Sequence, residues 1–261
     1  MARMTRRNAG SLVLGLAVLL QGCAGVVSGK QPAAAPAAVR SGQGSFEVRT
    51  GRPGLVIGAP HGTSDSSTDL MGRELARLTG WGLVIATGFS RLDADGRRFN
   101  VNRPTESVPG TAARLEGETE EARRVYQAYR QHVGEAAQGP LRLYVEVHGN
   151  GHQESAGRVE IATVGVTRED AWRLKTLLEL IRDCRLGAAD GVPRLEIRVE
   201  SVDLLRYTAS VAKRSGVLAS SGRALHIELP RTARTTYRAA YTELLADFLA
   251  QSATLLAAPG R

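Results

Sequence analysis

The sequence predicts a single α/β domain with three layers, a mixed, mostly parallel sheet carrying helices on both faces. Three observations predict it. Short apolar runs of strand length alternate with longer segments of helical spacing, most of the polar clusters end an apolar run, and no period of 20–50 residues repeats along the 261 residues.

The N-terminus stands apart. Arg3, Arg6 and Arg7 precede the apolar run 11–20, which reads as a secretory signal over residues 1–22 and is too short to span a bilayer as a helix. It finishes at Leu20-Gln21-Gly22-Cys23, which resembles a bacterial lipobox with Cys23 as the lipidated residue. Residues 23–44 are rich in Ala, Gly, Ser, Pro and Gln and read as a flexible tether, so the folded domain is expected over 45–261 of an exported, membrane-anchored lipoprotein on the periplasmic or extracellular face.

Within that domain residues 55–59 form an apolar run bounded by Pro53-Gly54 and Pro60, a buried strand. Residues 69–78 follow as a helix, with Leu70, Met71, Leu75 and Leu78 at helical spacing, and 83–87 as a second strand. Residues 117–133 are mostly charged, with Ala122, Val125 and Tyr129 on one stripe, the pattern of a surface helix. Residues 141–147 and 158–164 read as strands, and Thr167 caps a helix over 168–183 that is acidic in its first turn. A strand at 195–199, a short helix at 204–214, a strand at 224–229 and a long closing helix at 235–256 complete the order.

Composition removes some functions. The net charge of +8 falls to about +5 once Arg3, Arg6 and Arg7 leave with the signal, lysine is confined to Lys30, Lys175 and Lys213, and the arginines are scattered. No basic stripe tracks a phosphate backbone, so nucleic acid is a poor partner. Surplus guanidinium groups suit carboxylate substrates. Cys23 and Cys184 are the only cysteines; with Cys23 lipidated no disulfide forms, and Cys184 is expected to be buried.

The polar clusters carry the chemistry. In Pro60-His61-Gly62-Thr63-Ser64-Asp65, His61 sits at a strand's carboxyl end and Asp65 can swing back onto the same point, a two-ligand metal arm. The alternative is that Asp65 caps the helix that starts nearby, with Asp69 as the ligand in its place. Along residues 144–148 alternation puts Tyr144, Glu146 and His148 on one face, making His148 a third ligand and Glu146 a group that orients a ligand from behind. FNVNRP at 99–104 offers Asn102 and the planar fork of Arg103 to a substrate carboxylate or a developing oxyanion. In 224–229, Ala224, His226 and Glu228 face one way; ionisable groups flanked by apolar residues line a site or are costly, so Glu228 is the candidate general base. Tyr207, beside Arg206, is within reach of the mouth of such a site. Together these are the parts of a mononuclear zinc hydrolase.

In this order PHG, NVNRP, EVHGN and IELP resemble the N-formylglutamate amidohydrolase family and the related phage poly-γ-glutamate hydrolases, both similar in fold to zinc carboxypeptidases. FNVNRP is also similar to the carboxypeptidases' Asn-Arg motif for the substrate carboxylate. The resemblance implies Zn(2+) held by His61, an acidic residue and His148, substrate carboxylate on Arg103, Glu228 as base, and an acyl-amino acid, peptide or γ-glutamyl substrate. Where the carboxypeptidase pattern has a glutamate three residues after its first histidine, this chain has Ser64. The rival expectation is a non-catalytic envelope lipoprotein that uses the fold to bind a carboxylate ligand.

Overall fold

A computed structural model describes residues 39–41, 44–90, 97–108, 115–187 and 191–257. The signal segment, Cys23 and most of the tether lie outside the described residues. Among the described residues no helix is long and apolar enough to cross a membrane.

Eight strands form one mixed sheet. In chain order they are β1 (Val39–Ser41), β2 (Gly44–Arg49), β3 (Arg52–Ala59), β4 (Trp81–Thr87), β8 (Leu143–Asn150), β9 (Arg158–Val164), β10 (Glu196–Val199) and β11 (Ala224–Pro230), while β5 (Phe99–Asn100), β6 (Thr105–Ser107) and β7 (Glu116–Gly117) make a small separate sheet. The large sheet runs β1-β2-β4-β3-β8-β11-β9-β10. Its four central members, β4, β3, β8 and β11, are mutually parallel, and antiparallel pairs flank them on both sides. The predicted α/β class is the observed one.

The helices are α1 (Thr68–Thr79), α2 (Glu120–Ala137), α3 (Arg168–Leu186), α4 (Ser210–Ser215), α5 (Arg231–Arg234) and α6 (Arg238–Ala257). Helices α1, α3 and α6 cover one face over a core that includes Ile57, Val145, Val147, Leu225, Ile227 and Leu229. Helix α2 covers the other face through Val125, Tyr129 and Val133, packed with Val56, Val84 and Tyr144. Thr119 and Thr167 cap α2 and α3 by accepting the amides of Ala122 and Asp170.

Several expectations need correction. Cys184 is exposed on α3, because the buried stripe of that helix runs through Leu174, Leu178 and Ile181 and turns Cys184 outward. The helix expected over 204–214 is reduced to Ser210–Ser215. Ahead of it Ala209 takes a left-handed conformation (φ 51°), and the buried carboxylate of Glu160 accepts the amides of both Arg206 and Tyr207, which satisfies that backbone without helical bonds. Helix α2 begins at Glu120 rather than 117, since Glu116 and Gly117 belong to β7. The edge strand β1 lies within the stretch read as a tether.

Candidate metal centre

The site forms where the four parallel strands end. His61 and Asp65 follow β3, Ser90 follows β4, His148 lies near the end of β8 and Glu228 near the end of β11, so the crevice outside the carboxyl edge collects all of them. Parallel pairing of β8 with β11 sets Glu146 beside His226 and His148 beside Glu228, and period-two alternation points all four side chains to the α2 face. A cavity of about 320 Å³ opens over them, its lining including His61, Asp65, His148, Arg103, Tyr207 and Glu228. Larger grooves of about 410 and 560 Å³ lie elsewhere, without comparable convergence of histidines and carboxylates.

His61, Asp65 and His148 come together. The rings of His61 and His148 have centroids 5.1 Å apart, and Asp65 Oδ2 is 3.6 Å from His148 Nδ1. In a tetrahedral zinc site with bonds of about 2.0–2.1 Å, two donor atoms stand about 3.3 Å apart, so that separation suits a shared cation. His61 Nδ1 contacts Ser90 Oγ at 2.9 Å, which fixes the ring. Asp65 Oδ2 accepts the amide of Gly149 at 3.0 Å, while Ser67, without a side-chain cap bond, occupies the cap position of α1. Asp69 instead pairs with Arg73 at 2.8 Å, so of the two aspartates the structure turns Asp65 to the histidines.

Glu146 lies beneath them, fully buried. Its Oε2 is 3.0 Å from His148 Nε2, 3.2 Å from His226 Nδ1 and 3.1 Å from Asn102 Nδ2, and Oε1 accepts the hydroxyl of Tyr144 at 3.1 Å. Tyr144 in turn meets Tyr129 at 3.0 Å. Gly58, on the next strand, leaves room for this chain: a Cβ there would stand 2.3 Å from the Tyr144 hydroxyl. Glu146, His148 and His226 also have ligand atoms within 4.8 Å of one another, a second candidate cation cluster. Four donors already engage the Glu146 carboxylate, which suits a group that holds its imidazoles from behind more than one that ligates.

The electrostatics follow from crowding three carboxylates and three imidazoles in one crevice. Burial lowers the pKa of His61 to about 4 against the pull of Asp65, leaving a neutral imidazole, the form that ligates metals. Burial also opposes charge on His148, but its hydrogen bonds with Asp65 and Glu146 prevail and raise its pKa to about 10. Burial would raise Asp65 and Glu146 as well; hydrogen bonds from His148 overcome it and hold Asp65 at about 2 and Glu146 well below the usual carboxylate range. Without metal, the proton on His148 supplies the positive charge that these carboxylates need. Glu228 places Oε1 3.1 Å from His226 Nε2, while its buried Oε2 has no hydrogen-bond partner among the described residues. Glu228 lines the cavity, and a buried carboxylate oxygen left without a donor there suits a nearby cation.

The substrate-side residues Asn102, Arg103 and Tyr207 all border the cavity. Arg103 lines the cavity, but its Nε and Nη2 edge is spent on Glu116 in a bidentate pair at 2.9 and 2.5 Å, leaving Nη1, which donates to Asn102 Oδ1 at 3.4 Å. Asn102 is 1 % exposed and directs its amide to Glu146. Tyr207 lines the mouth, its hydroxyl pKa raised by burial and by the charge of Glu228. Glu116, Ser90, Glu160 and the Tyr129–Tyr144 pair were not singled out from the sequence. Of these, Tyr144 carried a signal by sharing the alternating face of Glu146 and His148, and Tyr129 by its place on the packing stripe of α2.

No protein-family model matches the chain, and no curated protein matches it either. Among solved structures it is similar to a bacteriophage poly-gamma-glutamate hydrolase, at 12% identity over 82% of this chain and 90% of that one, with a TM-score of 0.45. It is also similar to a gene product of Agrobacterium tumefaciens (16% identity, 82% and 94% covered, TM-score 0.45) and to a metallo-carboxypeptidase from Burkholderia cenocepacia (14% identity, 81% and 60% covered, TM-score 0.42). The fold class itself rests on strand order and register.

Proposed function

We propose that the chain is a zinc-dependent hydrolase that cleaves a C–N amide bond in a carboxylate-bearing substrate, displayed on an exported lipoprotein anchored through Cys23. One observation carries the reading: two histidines and an aspartate from the ends of β3 and β8 meet in a cavity that a carboxylate with an unpartnered oxygen also lines. His61, Asp65 and His148 would hold the ion, with Glu146 orienting His148 through Nε2. When bound, zinc supplies a Lewis acid and brings the pKa of a coordinated water to about 7.

The chain's own residues do the rest. Glu228 accepts the proton of the attacking water at Oε2 and delivers it to the leaving nitrogen. Arg103 offers Nη1 to the substrate carboxylate while Glu116 keeps the guanidinium plane fixed, and Tyr207 closes the mouth. Acyl-amino acids, peptides and γ-glutamyl chains share the required chemistry, an amide near a carboxylate. A panel of these substrates with Glu228→Gln tests the reading: the variant should keep its zinc and lose hydrolysis. A parent that binds zinc and carboxylates but turns over none of the panel favours the binding-lipoprotein alternative.

A further inference from the structure

We propose that Arg234 is a positioning residue for the cation site, clamping through backbone carbonyls the three segments that carry His61 with Asp65, His148, and Glu228. The inference rests on the metal-site reading above. Arg234 ends α5 and is 4 % exposed. A guanidinium this deep is ordinarily matched by a carboxylate, yet its hydrogen bonds go to main-chain oxygens. Nε donates to Leu229 O at 3.1 Å, Nη1 to Ser66 O and Nη2 to Asn150 O at 3.3 Å.

Those three carbonyls identify what is held. Ser66 follows Asp65 directly, Asn150 lies two residues beyond His148, and Leu229 follows Glu228. Strand ends and loops leave carbonyls that need donors, and the planar fork of arginine is the side chain able to serve three at once from one fixed plane. Gly149 is shaped to this use: a Cβ there would stand 2.2 Å from Arg234 Cζ and 2.6 Å from Nε, so the guanidinium lies across the bare backbone. The same Gly149 donates its amide to Asp65 Oδ2, so the clamp and the ligand share one residue. The charges of Asp65 and Glu228 both act on Arg234 and oppose the lowering caused by its burial. Arg234 therefore sets geometry and field behind the acidic groups while standing outside the cavity lining.

The test uses the full-length chain with Arg234→Met, Arg234→Lys and Gly149→Ala. Zinc affinity is read by competition with a chromophoric chelator, and amide exchange is read by mass spectrometry on the metal-free proteins. Arg234→Met and Gly149→Ala should each weaken zinc at least tenfold and speed exchange at residues 61–68 and 149–151. Arg234→Lys, which keeps the charge but reaches fewer carbonyls, should fall between. Because both changes remove one clamp, the double variant should be no worse than the more damaging single. Unchanged zinc affinity and local exchange, with only a lower melting temperature, would overturn the proposal, as would fully additive losses. If Arg234→Met does not fold, Arg234→Lys and Gly149→Ala decide. A parent that binds no zinc sinks the metal reading instead, and exchange in the metal-free variants then decides whether the clamp exists.

Discussion

Strands β8 and β11 carry two different proteins on their two faces. Toward α3 and α6 they present Val145, Val147, Leu225, Ile227 and Leu229, all buried in one apolar cluster. Toward α2 they present Glu146, His148, His226 and Glu228, equally buried and all ionisable. The first face is held by area removed from water, about 25 cal/mol per Å². The second gains nothing that way, since each charge must be matched by a partner or by an ion. The difference teaches that one backbone register serves stability on one side and chemistry on the other, and substitutions on the two sides should separate cleanly.

Glu228→Gln should break the chemical face hardest: the turnover rate constant falls by about 10²–10⁴-fold, the usual contribution of a positioned base, while the melting temperature moves little. Retained turnover in that variant would remove Glu228 as base. On the apolar face Ile227→Ala should cost about 2–5 kcal/mol in urea unfolding without altering zinc stoichiometry in the protein that remains folded. Loss of zinc from folded Ile227→Ala would show the faces are coupled.

Glu146→Gln sharpens the comparison between holding and ligating. It keeps the volume but loses the charge behind His148 and His226, so zinc affinity should drop by about 10–100-fold, short of abolition. Complete loss, measured by dialysis against a chelator, would move Glu146 into the ligand set.

The smallest effect concerns the Arg103–Glu116 pair. Burial raises the Glu116 pKa, but the hydrogen bond and charge of Arg103 outweigh it and leave the folded value depressed. A depressed carboxylate contributes stability above its unfolded pKa of about 4.3 and loses it as pH falls through the folded value. Glu116→Gln should therefore cost under about 1 kcal/mol at neutral pH, with the gap from the parent closing in acid. A gap that widens in acid would contradict the pairing.

Much of this was legible from local pattern. Alternation in β8 and β11 set the faces of Glu146, His148, His226 and Glu228, because a period of two leaves no freedom once the apolar face is known. Strand ends with polar clusters located His61, Asp65 and His148 at one edge. What escaped was non-local. Glu116 meets Arg103 through the small β5-β6-β7 sheet, whose strands of two or three residues carry no periodic signal. The 204–214 segment has helical spacing in its apolar residues, yet Glu160 on a distant strand takes up its amides. Cys184 is exposed because burial of a lone thiol depends on which side of the α3 stripe it falls, which composition does not reveal. The signal segment and the lipid site at Cys23 lie outside the described residues, and N-terminal sequencing of exported protein would address them.

The central claim is that His61, Asp65 and His148, with Glu146 behind them, form the cation site. The most direct measurement is zinc per chain by elemental analysis for the parent, His61→Ala, His148→Ala and His226→Ala. About one zinc in the parent, lost in His61→Ala and His148→Ala but retained with weaker affinity in His226→Ala, is the predicted result. Zinc retained in His61→Ala and lost in His226→Ala would contradict it and shift the ion to Glu146, His148 and His226.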